Sequence, residues 1–345
     1  MAPRDTGVYR TPMPVVPPPR SLVAALALVG AAIPGRAFAQ ETQVSSTEAP
    51  ATFAYNYGEV ETTRESAMGG ALRAAGNGTT APFLNPANVA LTQVYHIEAM
   101  ANVTPENGHQ VYGGVVVDST TNRLAGGVSV TGGFMDPSGL DRSWVDIRLA
   151  LSFPITQSIF IGVGGRYLKL TEQGFGPFGD SKVSGGLKDP SGGRFATVNL
   201  PTFDAGFTLK LGELVHIGLS GQNLTFPDNG YLPTMAGGGI AVANQDFTIE
   251  ADGVADFNSY DGPRARAMVG GEYLLLNHVP LRLGYRYDQG ANSHQLSAGV
   301  GYLAREFSVE GSVRRTLVGP DATMLFFGVA YFLESSGLTK TQQNF

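Results

Sequence analysis

The sequence contains no cysteine and has few charged residues. The lack of cysteine among its 345 residues excludes disulfides and thiolate metal sites. Charged residues make up 15% of the chain, whereas a soluble domain usually carries about 25%. The net charge of −6 and the lack of basic runs argue against nucleic acid as a partner.

Long apolar runs are missing as well. The chain has no stretch of the roughly 20 apolar residues that a transmembrane helix needs. Its longest apolar run, 21–33, follows three arginines and precedes Ala37-Phe38-Ala39. A basic leader, a short apolar core and a small-x-small site are typical of a secretory signal. We therefore predict that residues 1–39 are a signal peptide and that the mature chain, starting at Gln40, is exported.

Glycine and short alternating segments are abundant instead. Glycine occupies 46 positions, and between 93 and 333 about fourteen segments of about ten residues alternate apolar with polar side chains. Each segment ends at glycine, proline, asparagine or aspartate. This pattern is typical of a transmembrane β-barrel. It predicts an all-β fold, an antiparallel barrel of about fourteen strands within residues 92–345.

The connections between these segments alternate in length. Tight joins at 154–157 and 244–245 contrast with longer ones at 171–195 and 223–234. Bacterial barrels have short periplasmic turns and longer extracellular loops. The alternation therefore predicts that both termini are periplasmic, in the outer membrane of a Gram-negative cell.

Alternation also assigns the two faces of each strand. Val145 and Leu149 point one way, while Asp146 and Arg148 point the other. A basic side chain facing lipid costs about 2–4 kcal/mol, so the charged side must face the lumen. A soluble β-sandwich or barrel would place these faces the other way round. The signal peptide, the strand count, the glycine content and the low charge favour the membrane, with a polar lumen rich in ion pairs.

Arginines on the inward face are candidate ligand-binding residues. Guanidinium groups can bind a ligand carboxylate through two hydrogen bonds, or they can pair with inward acids, and both interpretations stay open. The arginines are Arg148, Arg166, Arg282 and Arg286. The acids are Asp146, Glu250, Asp252, Glu272 and Glu310.

Residues 40–91 break the pattern. They are rich in alanine and glycine, show no sustained alternation and precede the first strand. A barrel of this width encloses either a water channel or a plug. We predict that these residues form an N-terminal hatch that plugs the lumen.

A resemblance to a known family supports this hatch. The stretch ESAMGGALRAAGNGTTAPFLNPANVAL, Glu65 to Leu91, resembles the hatch of the FadL-type long-chain fatty-acid transporters and of related protein-secretion shuttle barrels. HIGLSGQNL resembles a mid-barrel strand of that family. One departure is Asn88-Val89, where the transporters more often have Gly-Leu. The resemblance assigns as hatch residues Met68, Gly69, Gly70, Phe83, Asn85, Pro86 and Ala87.

The resemblance implies an outer-membrane channel for passive uptake of hydrophobic small molecules, gated by the hatch. FadL-type transporters first capture ligand in a groove between two long loops. The corresponding candidates for a hydrophobic landing surface here are Phe175, Phe178, Leu224, Phe226, Tyr231 and Leu232. These side chains could also pack on each other or lie in the aromatic belt at the membrane interface. Two alternative functions remain, a secretion shuttle or interaction protein and a structural barrel.

The sequence does not predict an enzyme, a cofactor or a metal site. His216 and Ser220 share a face but lie four strand residues apart, about 13 Å. Glu250 and Asp252 lack a nearby third ligand for a cation. The expected partners are a hydrophobic ligand, outer-membrane lipid and lipopolysaccharide, and the barrel-assembly machinery during biogenesis.

Overall fold

The structure is a computed structural model that describes seven stretches of the chain. They are 60–107, 109–135, 142–171, 198–227, 231–260, 262–319 and 321–333. The predicted signal peptide, the first part of the predicted hatch, Phe175 and Phe178 lie outside these stretches. Within them, no helix is both long and apolar enough to cross a membrane.

Fourteen antiparallel strands form a closed barrel, which confirms the predicted fold class. Each strand pairs with its neighbours along the chain, and β1 pairs with β14 to close the ring. Closure leaves no free sheet edge, as a lipid environment requires. The strands are β1 Tyr95–Thr104, β2 His109–Asp118, β3 Ala125–Met135, β4 Arg142–Pro154, β5 Ile159–Thr171, β6 Val198–Leu211, β7 Val215–Gln222, β8 Met235–Ala243, β9 Phe247–Asp256, β10 Arg264–Leu275, β11 Val279–Asp288, β12 Ser293–Leu303, β13 Phe307–Val318 and β14 Thr323–Phe332.

The two ends of the barrel differ in their connections. At the end where β1 begins and β14 finishes, called the terminal end, residues 212–214, 244–246 and 304–306 make tight turns. At the opposite end, called the long-loop end, β7 and β8 are joined by 223–234. The sequence predicted this alternation.

Side chains along the strands alternate as predicted. In β4, Val145 and Leu149 face outward and are 43% and 48% exposed, whereas Asp146 and Arg148 are buried inside. An apolar outer surface and charged inward positions are the arrangement expected of a barrel in lipid.

Residues 60–91, called the inner segment, lie inside the barrel. They contain helix α1 (Thr63–Ala67), helix α2 (Ala81–Leu84) and a 3-10 turn (Pro86–Ala90). Helix α1 contacts β11 to β14, while the turn contacts β3 to β6. Because these strands lie on opposite sides of the ring, the segment must occupy the lumen between them. That all of residues 40–91 form a hatch stays a prediction.

The barrel wall is uneven beside β7. Strand β6 has 14 residues and β7 only 8. Their pairing runs from Ala205 opposite Gly221 to Leu211 opposite Val215. The first residues of β6 therefore pair with β5 alone among the strands. At the long-loop end, β7 stops short of the end of β6, and the loop 223–234 begins there.

Candidate functional site inside the barrel

The inner segment rests on glycines of the barrel wall. A Cβ atom at Gly206 would overlap the Oδ1 atom of Asn85, and one at Gly284 would overlap the backbone nitrogen of Gly69. Gly69 itself has a φ of +69°, a left-handed conformation that favours glycine. At six more wall glycines a Cβ atom would lie within 3.0 Å of the segment, namely Gly127, Gly162, Gly218, Gly270, Gly299 and Gly328. At these positions the absence of a wall side chain lets the segment approach the strands closely.

The Asn85-Pro86-Ala87 motif ties the inner segment together. The Asn85 amide nitrogen donates to the carbonyl of Arg73 at 2.8 Å and to Thr208 Oγ1 at 3.0 Å. Its Oδ1 accepts from the backbone nitrogen of Ala87 at 3.1 Å, which caps the 3-10 turn. Asn88, the departure from the family pattern, also donates to the Arg73 carbonyl, at 3.0 Å. Both asparagines therefore hold the turn against residue 73.

Glu250 and Asp252 of β9 bind the backbone of the inner segment. They accept hydrogen bonds from the four backbone N–H groups of residues 72–75, at distances between 2.5 and 3.1 Å. The Arg73 guanidinium lies 3.3 Å from Asp252. These carboxylates thus anchor the segment to the wall.

The four predicted lumen arginines all have carboxylate partners. Arg148 and Arg166 share Asp146, at 3.1 and 2.5 Å. Arg282 lies 2.5 Å from Glu272 and 2.7 Å from Glu310, and Arg286 lies 2.8 Å from Glu61. These contacts fit the interpretation in which the inward arginines pair with inward acids. A role in binding a ligand carboxylate stays a prediction.

Two buried glutamates of the inner segment have pKa values shifted in opposite directions. Glu61 lies 2.8 Å from Arg286 and 2.6 Å from Arg314. Burial opposes ionisation of Glu61, but the two arginines outweigh it and lower its pKa. Burial raises the pKa of Glu65 well above its usual range, and the charge of Glu61 adds to this rise. The pair therefore favours one charged and one neutral carboxyl group.

One side of the lumen is apolar. Buried side chains of β1 to β6, the inner segment, and the β7–β8 and β9–β10 loops form a single cluster, called the apolar cluster. It includes Phe83, Val89, Val111, Val115, Val117, Trp144, Ala150, Leu168, Leu170, Val198, Tyr231, Leu232 and Tyr260. The expectation of a polar lumen was wrong for this side, because Leu168 and Leu170 share the inward face of β5 with Arg166.

The candidate loop residues separate into buried and exposed ones. Tyr231 and Leu232 are buried in the apolar cluster, and Leu224 lies against Gly221. Phe226 is 64% exposed. A landing surface that includes Phe226 stays a prediction, since Phe175 and Phe178 lie outside the described residues.

A small cavity lies where the apolar cluster meets the inner segment. Its volume is about 40 Å³, and its lining includes Phe83, Arg148, Arg166, Gln222 and Asn223. This volume holds a few water molecules, far less than the roughly 300–1,000 Å³ of typical ligand pockets. Among the described residues, this cavity is therefore too small to hold a ligand.

Solved structures match the chain although sequence comparisons do not. No protein-family model and no curated protein matches it. The Ralstonia pickettii toluene transporter TbuX matches with a TM-score of 0.56 and 14% identity, covering 80% of this chain and 98% of its own. The CymD monoaromatic hydrocarbon channel gives 0.58 and 12%, covering 81% and 98%. A Pseudomonas aeruginosa FadL homologue gives 0.55 and 13%, covering 79% and 98%.

These similarities extend over almost the whole length of each solved chain. At such low identity they establish a shared fold, and the resemblance to FadL-type barrels is confirmed at that level.

Proposed function

We propose that this protein is an outer-membrane channel through which a hydrophobic small molecule crosses passively, with the inner segment as its gate. The observation that carries the proposal is the apolar cluster. Interiors of outer-membrane barrels are ordinarily polar, whereas ligand sites are lined mainly by apolar and aromatic side chains. Trp144, Leu168 and Leu170 provide such a surface from the long-loop end down to Phe83.

Monoaromatic hydrocarbons are the substrate class that we favour. Two of the solved relatives are described as a toluene transporter and a monoaromatic hydrocarbon channel. Aromatic rings also occur within the apolar cluster, at Phe83, Trp144, Tyr231 and Tyr260. An apolar surface on one side of the lumen suits this class better than a secretion shuttle or a purely structural barrel.

Passage requires the inner segment to move, because the cavity above it is too small for a ligand. On its other side, toward the terminal end, lies a cavity of about 370 Å³ whose lining includes Arg64, Thr79, His96 and Glu98. We propose that the terminal end faces the periplasm and that this cavity is the exit chamber. A molecule moving down its own gradient needs no cofactor or energy source.

The Leu168→Asn variant is expected to reduce toluene uptake by about tenfold at limiting concentration. An amide without a partner in an apolar site costs about 1–3 kcal/mol, and 1.4 kcal/mol corresponds to a factor of ten. Uptake of radiolabelled toluene by cells producing equal amounts of folded barrel measures the effect.

Met324→Gln is the matched control for Leu168→Asn. Met324 is also buried, but it belongs to a separate apolar group with Ala322 and Phe326. Its substitution should leave uptake unchanged. Equal uptake by wild type and Leu168→Asn would contradict the proposed path.

The Phe226→Ser variant is expected to lower toluene uptake by about fivefold at limiting concentration and very little at saturation. An exposed aromatic ring at the long-loop end helps a hydrophobic molecule leave water, and about 1 kcal/mol of lost burial corresponds to this factor. Phe153→Ser is the control, because Phe153 is an exposed phenylalanine of β4 near the terminal end, away from the long loops. Unchanged uptake by Phe226→Ser at low toluene would assign Phe226 to packing or to the membrane interface.

A further inference from the structure

Gln222 and Asn223 lie at the junction between the β7–β8 loop and the inner segment. Gln222 is the last residue of β7, and its side-chain amide donates to the carbonyl of Phe83 at 2.6 Å. Phe83 lies in helix α2, immediately before the Asn85 turn. The end of β7 therefore holds the part of the inner segment that closes the small cavity.

Asn223 holds both ends of the β7–β8 loop. Its φ is +53°, a left-handed conformation that asparagine tolerates better than most residues. Its side-chain amide donates to the carbonyl of Pro233 at 2.7 Å, and its own carbonyl accepts from Thr234 Oγ1 at 3.0 Å. Its backbone nitrogen donates to Asp204 at 2.7 Å. A single residue thus fixes the loop where it leaves and rejoins the wall.

A second connection runs from Asn223 through the buried ion pairs. Its Oδ1 accepts from Arg166 at 3.2 Å, and Arg166 shares Asp146 with Arg148. Arg148 in turn donates to the Phe83 carbonyl at 3.3 Å. The carbonyl that Gln222 holds directly is therefore also linked to Asn223 through the two arginines.

We infer that Gln222 and Asn223 couple the β7–β8 loop to the gate. Tyr231 and Leu232 of that loop belong to the apolar cluster, so a molecule that enters the cluster must displace them. Displacement pulls on Pro233 and hence on Asn223, and loosens the contacts at the Phe83 carbonyl. This inference rests on the proposed channel function. It makes Asn223 a positioning residue that acts through its neighbours.

The chain's lack of cysteine provides a direct assay of the inner segment. A single cysteine introduced by Ala81→Cys in helix α2 is buried in the closed state, since Ala81 is 0% exposed. Its rate of reaction with a water-soluble maleimide then reports how often the segment leaves its site. The assay needs neither ligand nor transport.

Asn223→Gly keeps the left-handed backbone and removes the side-chain contacts, so labelling is expected to become about tenfold faster. Gln222→Met keeps the side-chain length but loses the amide that donates to Phe83, and should have the same effect. Asn292→Gly is the control, because Asn292 also has a positive φ, +48°, in the β11–β12 turn. It should label at the original rate. A slow rate in both Asn223→Gly and Gln222→Met would overturn the inference.

A double-mutant comparison tests the coupling itself. Leu232→Ala should accelerate labelling when Asn223 is present and add nothing in the Asn223→Gly background. Additive effects would show that loop and gate move independently and would overturn the inference. Coupled labelling with no toluene uptake would instead contradict only the proposed function, so the two failures are distinguishable.

Discussion

The Gly206→Val variant is expected to conduct small ions continuously, because the inner segment can no longer occupy its place in the lumen. Even a Cβ atom at position 206 would overlap Asn85 Oδ1 and lie 2.9 Å from the backbone nitrogen of Ala87. Valine adds two further methyl groups to this clash. Conductance of the purified barrel in planar bilayers, and leakage of glucose from loaded liposomes, measure the opening.

Gly253→Val is the matched control for this variant. Gly253 lies on the outward side of β9, and a Cβ there meets nothing within 4 Å. Its substitution should leave the channel closed. If Gly206→Val inserted as a folded barrel yet conducted no more than wild type, the inner segment would not be the gate.

The Asp146→Ala variant is expected to lower the free energy of unfolding by about 3–5 kcal/mol. Asp146 is fully buried and neutralises two arginines, Arg148 and Arg166, at 3.1 and 2.5 Å. Removing one partner of a buried ion pair leaves uncompensated charge, and this accounts for the magnitude. Urea titration in detergent or liposomes, followed by intrinsic fluorescence and by the gel shift of the unboiled barrel, measures the change.

An exposed ion pair provides the comparison for Asp146. Arg315 lies 3.1 Å from Glu106, and the two side chains are 46% and 33% exposed. Glu106→Ala should therefore cost about 0–1 kcal/mol. Equal stability of Asp146→Ala and Glu106→Ala would mean that water or Asp204 replaces the missing carboxylate.

The barrel could be predicted from sequence because lipid imposes a strict alternation. In β11, Leu281 and Leu283 had to face outward once Arg282 was assigned to the lumen, and the structure places all three so. Turn residues then marked the ends of the strands. Each local choice follows from the cost of placing charge in hydrocarbon, so no long-range information was needed.

The interior was harder to predict because it has no such constraint. Val111, Val115 and Val117 face inward from a strand that is apolar on both faces, and this was the available signal for the apolar cluster. Glu250 and Asp252 gave no sign that they would bind the backbone of residues 72–75. Alternation assigns a side chain to the lumen but does not identify which distant segment it meets there.

The role of Asn223 was hidden for a related reason. In the sequence, GQNL closes a segment that resembles a mid-barrel strand, and a left-handed asparagine at a strand end ordinarily marks a plain turn. Its contacts with Pro233, Asp204 and Arg166 depend on how three strands and a loop converge. Such convergence is a property of the folded barrel that no local pattern contains.

The short wall at β7 also has a consequence for the surrounding bilayer. A strand needs about 9–11 residues to cross the hydrocarbon layer, and β7 has 8 where β6 has 14. A bilayer adapts to a short hydrophobic span by thinning locally, at a cost of fractions of a kcal/mol per Å. Lipid chains beside β7 are therefore expected to be compressed, which brings the headgroup layer closer to the loop that carries Phe226.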